Sequence, residues 1–271
     1  MKISVIMAVH NAELKILKKS VSSILDQTFS DFEFIIIDDI NDDNCISYLT
    51  EISKKDKRVA VFRNTKNIGL TKSLIKGIAN SSGKYIARQD ADDFSEKNRF
   101  QLQYKYLEEN YETSLVGTWF LEKSDYGYSK FTSHKNNSNY LKNIMFKTNP
   151  ICHSSAMFRR SKYNDVGGYN QNIKTCQDLD LWFKLSNVGE IAIIERQLVE
   201  RNLIKNSISL SKKSYLQVFT AFQIRIKNIP KNKFFLNFIS LVMLSTAYHL
   251  TLTLFMPIFR LIKLTLSRKK C

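Results

Sequence analysis

Three carboxylates arrive within four positions in the run Gly83-Lys84-Tyr85-Ile86-Ala87-Arg88-Gln89-Asp90-Ala91-Asp92-Asp93. Tyr85-Ile86-Ala87 is too short for a buried helix and reads as a strand with Gly83 as the breaker before it. The aspartates therefore sit just past a strand's carboxyl end. Like charges this close are tolerated when they are well solvated or when a cation neutralises them. Hard carboxylate oxygens suit Mg²⁺ or Mn²⁺, and Mg²⁺ commonly takes one or two protein carboxylates and completes its shell with water and substrate phosphates. Two readings stand at this point: a metal–diphosphate site, or a solvated acidic turn.

The elements that must position these residues alternate regularly. Ile3 to Val9 is a continuous apolar run, as expected of a strand covered on both faces, and His10-Asn11 ends it. Leu14, Leu17, Val21, Ile24 and Leu25 then recur at helical spacing. Phe32 to Ile37 stops at Asp38-Asp39, a helix is expected around Cys45 to Lys54, Val59 to Phe62 is the third strand, and Leu70 to Ala79 is a helix leading to the Tyr85 strand. Strand–helix alternation over about 90 residues predicts a parallel sheet with right-handed crossovers. Ligands gather outside the carboxyl ends of such strands. His10, Asp38, Asp39, Asp90 and Asp92 are thus expected along one edge.

In the second half a helix is expected from about Asn98 to Asn110, a strand pair at Leu115 to Phe120 and Tyr126 to Phe131, a helix at Tyr140 to Phe146, and a strand at Ser155 to Arg159. Val166-Gly167-Gly168-Tyr169 signals a turn. Gln177-Asp178-Leu179-Asp180 opens a helix with an acidic first turn, favourable to the helix dipole. Neither G-x-G-x-x-G after the first strand nor G-x-x-x-x-G-K-[ST] occurs, which argues against a dinucleotide oxidoreductase or a P-loop enzyme.

Several of these segments, in order, resemble the family-two inverting glycosyltransferases with a GT-A fold. Ile3 to Asn11 resembles the opening strand. Ser22-Ser23-Ile24-Leu25-Asp26-Gln27-Thr28-Phe29 is similar to its helix and Q-T, and Phe32 to Asp39 to its nucleotide-binding strand. Asn67-Ile68-Gly69-Leu70 resembles the N-x-G-L turn, and Tyr85 to Asp93 the segment holding the D-x-D. Gly167-Gly168-Tyr169 and Asp178-Leu179-Asp180-Leu181-Trp182 resemble the acceptor-side G-G-Y and E-D-x-x-L-W motifs. The resemblance implies an α/β fold with a Rossmann-like, mainly parallel central sheet flanked by helices. It implies that Asp39 binds the uracil of a UDP-sugar with Asp38 in support, and that Ala8 and His10 line the nucleotide pocket. Asp92 would coordinate Mn²⁺ or Mg²⁺ under the diphosphate, and Asp90 would contact the metal or the donor. Asp178 would be the general base of a single displacement with inversion. Arg201 resembles a late arginine that faces the donor diphosphate, with a solvated basic residue as the alternative. His153 is open between an acceptor-pocket role and a structural one, and Trp182 between core and sugar platform. The chain departs from the pattern at Gln177, where relatives often carry Glu, at Ile40-Asn41 in place of Gly-Ser, at Ile75 in place of Asn and at Lys97 in place of Pro.

With 271 residues and 44% hydrophobic content the chain is large enough for one domain with an appendage. Residues 1–205 are expected as the catalytic domain, split into a nucleotide-sugar half, 1–93, and an acceptor half, 94–205. The net charge of +16 is unevenly spread: the first 200 residues hold 28 Lys/Arg against 25 Asp/Glu, and residues 201–271 hold 13 Lys/Arg and no acid. Residues 206–271 are therefore expected as a helical, basic tail. Its uncharged segment, 234–259, is long enough to span a bilayer, yet it is diluted by polar residues, broken by Pro257 and basic on both flanks. An interfacial anchor on anionic lipid fits both flanks, and a buried dimer helix is the soluble alternative. The four cysteines form no C-x-x-C pair, and the amino terminus reads as a strand rather than a signal peptide, so a reduced cytoplasmic setting at the inner membrane face is expected. The expected function is transfer of a sugar to a hydroxyl of a glycan or lipid-linked acceptor in surface-polysaccharide synthesis. Transfer to a polyprenyl phosphate is the alternative within enzymes. Nucleic-acid binding is the alternative outside them, weakened because the basic charge sits beside an apolar stretch and no recognised nucleic-acid motif occurs.

Overall fold

Each apolar run of the first 90 residues folds as a strand, and each amphipathic segment between them as the crossover helix that covers it. The computed structural model describes residues 1–124, 129–203, 214–230, 239–240, 242–247 and 251. The order is β1 (Ile3–Val9), α1 (Leu14–Leu25), β2 (Phe32–Asp38), α2 (Asp43–Lys55), β3 (Val59–Arg63), α3 (Leu70–Ala79) and β4 (Tyr85–Arg88). The four strands pair in parallel in the order β3-β2-β1-β4. Successive β1 residues face opposite sides of the sheet. Val5 and Met7 share a core with Leu17, Val21 and Ile24 of α1, whereas Ile6 packs with Leu74 and Ile78 of α3. Because the winding reverses between β1 and β4, their carboxyl ends open a crevice there.

Beyond β4 the chain continues as β5 (Phe94–Ser95), α4 (Arg99–Glu109), β6 (Thr113–Ser124), β7 (Ser129–Thr132), α5 (Ser138–Ile144), a 3₁₀ turn at His153–Ser155, β8 (Met157–Arg159), α6 (Arg160–Asp165), α7 (Gln177–Ser186), β9 (Glu190–Leu203) and α8 (Ser214–Lys227). β8 joins β4 antiparallel, and the sheet then runs β8-β6-β9-β5, with β7 off the edge of β6. The expectation of a mainly parallel sheet therefore holds for the first four strands and needs correction beyond them, where the sheet is mixed. The physical reason is connection: β4 and β8, β6 and β8, and β5 and β9 are distant in the chain and joined by no single crossover helix, so no β-α-β unit fixes them parallel. In the expected strand Ser155 to Arg159, Ser155 belongs to the 3₁₀ turn instead. Tyr126, expected in the partner of β6, lies outside the described residues.

β9 is the element the sequence does not announce. Its apolar run Ile191–Ile194 is followed by Glu195, Arg196 and Gln197, and its pairing with β6 slips at Thr118/Trp119 and again at Trp119/Phe120. Such bulges absorb extra residues in a ladder and break the alternation by which a strand is read.

Most of the expected segment 234–259 lies outside the described residues, and among the described residues no helix is long and apolar enough to cross a membrane. α8 packs on the body: Ala221, Ile224 and, just beyond it, Ile229 join the core that contains Trp182. The Arg225 Nε–H donates to the Met145 carbonyl at 3.0 Å.

Candidate active site

The Asp38-Asp39 pair ends β2 and is buried. Asp39 accepts from Asn64 Nδ2 (2.8 Å) and the backbone N–H of Ile68 (2.9 Å) on Oδ1, and from Gly69 N–H (2.9 Å) on Oδ2. It thereby fastens the Asn67-Ile68-Gly69 turn, where Gly69 caps α3 at φ +84°, to the strand edge. Of the roughly four lone-pair positions of a carboxylate, three are filled, so little capacity is left for a base. Asp38 accepts from Asn41 Nδ2 at 2.6 Å and lies 3.4 Å from Arg63 Nε, which holds the loop closed over β1. Ala8, half-buried on β1, sits beside Ile37 of β2. His10 is exposed, with Nδ1 2.6 Å from the Asp39 carbonyl and Nε2 2.9 Å from Asn67 Nδ2. A carbonyl accepts and an amide nitrogen donates, so Nδ1 carries the proton and the imidazole ties the Asp39 backbone to Asn67.

Ile40 lies directly after this pair at φ +69°. This is left-handed backbone, which a β-branched side chain adopts at a cost of about 1–2 kcal/mol and glycine adopts freely. The glycine of the Gly-Ser pattern that Ile40-Asn41 departs from would sit here without that cost. Ile40→Gly removes that strain and adds less in unfolded-chain entropy, so it is expected to stabilise the protein by roughly 0.5–1 kcal/mol. This is read as a small rise in thermal midpoint, whereas Ile40→Val leaves it unchanged.

The Asp90–Asp93 turn begins where β4 ends. Arg88, fully buried, donates through Nη2 to Asp90 Oδ1, through Nη1 to the Gln89 carbonyl (2.9 Å) and the Ile6 carbonyl, and through Nε to His153 Nε2 (3.1 Å). The Ser154 hydroxyl lies 3.1 Å from Asp90 Oδ2 and 2.5 Å from Asp93 Oδ2, and it accepts from the Asp90 N–H at 3.0 Å. Burial disfavours the Asp90 anion, but the Arg88 charge, the Ser154 hydroxyl and Arg201 outweigh it and hold its pKa below the usual carboxylate range. Asp93 is buried, its Oδ1 accepting from the Asn202 N–H at 2.9 Å, and burial together with Asp92 and Asp90 raises its pKa well above that range. Asp93 is thus a tie between the turn, the 3₁₀ turn and the end of β9.

Asp92 differs from both neighbours. Among the described residues no side chain hydrogen-bonds to its carboxylate, and burial and the adjacent Asp90 push its pKa up to about 6. It borders a cavity of about 280 Å³ shared with Lys15 and Lys19 of α1 and Asn202 of β9. No group of three or more His, Cys, Asp or Glu that could cage a metal occurs among the described residues. A divalent ion at Asp92 would therefore complete its shell with non-protein oxygens, which suits the chemistry of Mg²⁺ and Mn²⁺.

The acceptor half brings Asp178 to the same crevice. Cys176, at φ +59°, turns the chain into α7, and Asp178 in its first turn accepts from Asn149 Nδ2 (2.7 Å) and the Leu179 N–H (2.9 Å). Burial, with a contribution from Asp90, raises its pKa despite Arg201. Gln177 is buried beside it, at the first position of α7. Arg201, on β9, lies 3.0 Å from Glu122. Burial works against its charge, but Cys152, Asp93, Glu122 and Asp90 raise its pKa. Its charge also works to lower the pKa of Asp92 and Asp178, while its side chain keeps 35% of its surface in solvent.

Two residues resolve toward structure. Trp182 is fully buried and donates to the Ile151 carbonyl at 3.3 Å, so it is core and not a sugar platform. His153 is buried and accepts on Nε2 from both Arg88 and the Tyr169 hydroxyl (2.8 Å). Arg88, Ser154, Asn149 and Asn202 are the contributors that motif reasoning misses. Only Arg88 carries a signal, as a charge inside an apolar strand two residues before the first aspartate.

The parallel β1–β4 unit, with its switch-point crevice and the mixed sheet beyond it, is the framework of a GT-A fold. The chain belongs to glycosyl transferase family 2, whose profile matches residues 4–167. An uncharacterized glycosyltransferase of Methanocaldococcus jannaschii is 32% identical over 232 residues, covering 83% of this chain and 80% of that protein. The O-antigen biosynthesis glycosyltransferase WbnJ of Escherichia coli is 34% identical over 190 residues, covering 68% and 72%. In fold, the chain matches Staphylococcus aureus TarS, solved with UDP-GlcNAc, at TM-score 0.70 and 15% identity over 89% of this chain and 70% of that one. It matches the mannosyltransferase PcManGT of Pyrobaculum calidifontis, solved with GDP-Man and Mn²⁺, at TM-score 0.65 and 16% identity over 93% and 72%. This chain is a sugar-transferring enzyme with the GT-A fold.

Proposed function

We propose that the enzyme moves a sugar from a nucleotide-sugar, with inversion, to a hydroxyl of a glycan or lipid-linked acceptor in surface-polysaccharide synthesis. The observation that carries this reading is the pairing of two differently prepared carboxylates around Arg201: Asp92, raised to about 6 and without a side-chain donor among the described residues, and Asp178, raised and oriented by Asn149. Asp178 Oδ2 or Oδ1 takes the proton of the acceptor hydroxyl, whose oxygen attacks the anomeric carbon while the bond to the diphosphate oxygen breaks. A carboxylate pKa above its usual range brings the base closer to neutral pH, where proton transfer is most effective. Arg201, held by Glu122, would face the negative charge that grows on the leaving diphosphate, where a fixed cation acts with little reorganisation. Asp92 would hold Mn²⁺ or Mg²⁺, which when bound supplies further charge neutralisation at the diphosphate. The His10–Asn67 edge would receive the base, with the one acceptor position that Asp39 Oδ2 retains in support, and UDP is the donor nucleotide we favour. The basic, acid-free residues 201–271 support a site of action against anionic lipid at the inner membrane face.

The test is donor hydrolysis and transfer with a panel of UDP- and GDP-sugars, with and without Mn²⁺. The full chain is the right material, because truncation at 205 strips Ala221, Ile224 and Ile229 from the core. Turnover of one donor that rises with Mn²⁺ is expected; turnover of none overturns the reading.

A further inference from the structure

A line of buried polar contacts leads from the acceptor-side turn to Asp90. Gly167 and Gly168 take φ of +71° and +62°, and a side chain at Gly168 would strike the Tyr163 ring, with its first carbon 2.4 Å from that ring's Cζ. This tight turn delivers Tyr169, 4% exposed, so that its hydroxyl reaches His153 Nε2 at 2.8 Å. The same nitrogen accepts from Arg88 Nε at 3.1 Å, and Arg88 grips Asp90. Arginine is always protonated, so Nε2 holds a lone pair, the imidazole is neutral and Tyr169 is the donor. Burial and the Arg88 charge push the His153 pKa down to about 3, in agreement. The neighbouring Ser154 holds the other Asp90 oxygen. Both Asp90 oxygens are thus held, one by Arg88 and the other by Ser154 of the second half.

We infer that Tyr169, His153 and Arg88 are positioning residues, a relay through which the Gly-Gly-Tyr turn of the acceptor half fixes Asp90 for the donor. The inference rests on the donor-side role of Asp90 proposed above. The fully buried guanidinium has fixed directions: with Nη1 on two backbone carbonyls and Nε on His153, Nη2 can point only at Asp90. Losing the His153 acceptor leaves a buried N–H unpaired, and the guanidinium must turn to find another partner. Asp90 then loses its orientation. Losing the Tyr169 hydroxyl loosens the imidazole and acts through it.

The experiment uses the full chain and two readouts: backbone amide exchange at residues 89–93 without ligand, and titration with UDP or GDP plus Mn²⁺. In His153→Phe, exchange at 89–93 is expected to accelerate about tenfold and nucleotide affinity to fall about tenfold, of the order seen when a buried polar partner is removed. His153→Gln, which offers an acceptor oxygen near the place of Nε2, should recover most of both. Tyr169→Phe should change both by about threefold, and nothing further when added to His153→Phe, because members of one network are not additive. The inference is overturned if folded His153→Phe and Tyr169→Phe leave exchange at 89–93 unchanged, or if their effects simply multiply. Tyr169→Phe removes a single oxygen, so it decides the matter if His153→Phe does not fold. If the wild type binds neither UDP nor GDP with Mn²⁺, the donor reading fails, while the exchange measurement still decides the relay.

Discussion

Asp178→Asn lowers kcat by roughly 10²–10⁴-fold, the range of a lost general base, and leaves nucleotide affinity within about twofold. The substitution keeps size and can keep the bond to Asn149, whose amide turns to suit, so the geometry of the crevice survives. It does not cost stability. Burial and Asp90 raise the Asp178 pKa, which means that the fold favours the neutral form over the anion. Such a group contributes stability below the unfolded carboxylate pKa and loses that contribution as pH rises through its higher folded pKa. Replacing it by a neutral amide therefore raises the thermal midpoint at pH 7.5 while removing activity. In the wild type the same group makes kcat climb with pH, through a pKa above the ordinary carboxylate range. Steady-state kinetics of both forms between pH 5 and 8, with melting curves alongside, check all of this. A kcat for Asp178→Asn within a few-fold of wild type would show that the base lies elsewhere.

Asp92→Ala removes the one carboxylate of the turn that no described side chain engages, and with it Mn²⁺-dependent nucleotide binding. We expect kcat/KM to fall about a thousandfold, equivalent to about 4 kcal/mol of lost stabilisation at the departing diphosphate. The pH dependence has a definite sign. The metal-free Asp92 pKa is raised to about 6, by burial first and Asp90 second, so the protonated form is favoured in the fold. Its contribution to stability is present below the unfolded value near 4 and disappears as pH rises through 6. A divalent ion needs the ionised form, so proton and metal compete and metal affinity falls about tenfold per pH unit below 6. The stabilisation of the metal-free enzyme by Mn²⁺ should accordingly be larger at pH 7.5 than at pH 5, and absent from Asp92→Ala. Scanning fluorimetry at the two pH values measures it. An equal Mn²⁺ shift in wild type and variant would place the metal on other ligands.

The first 90 residues are legible because each strand is a continuous apolar run and each helix a clear amphipathic repeat, so hydrophobic period alone sets both type and order. The aspartates could be placed at strand ends for the same reason. What could not be read was which of them is engaged. Asp39 looks like a free base reader in the sequence, yet it is mostly filled by Asn64, Ile68 and Gly69, donors 25 to 30 positions away. Asp90, Asp92 and Asp93 look equivalent, and they are separated only by Arg88, Ser154 and Asn202. β9, with its charges and bulges, hides from pattern reading, and Arg201 is carried on it.

The sequence by itself determined the parallel β-α-β unit, the edge on which acidic residues collect, and the entry of Asp178 at a helix start, since these follow from local period and breaker residues. The tertiary structure alone decided that Trp182 is core, that His153 is neutral and that the three neighbouring aspartates differ. Ionisation and hydrogen-bond capacity depend on burial and on partners that only folding brings within 3 Å, and no spacing along the chain encodes those distances.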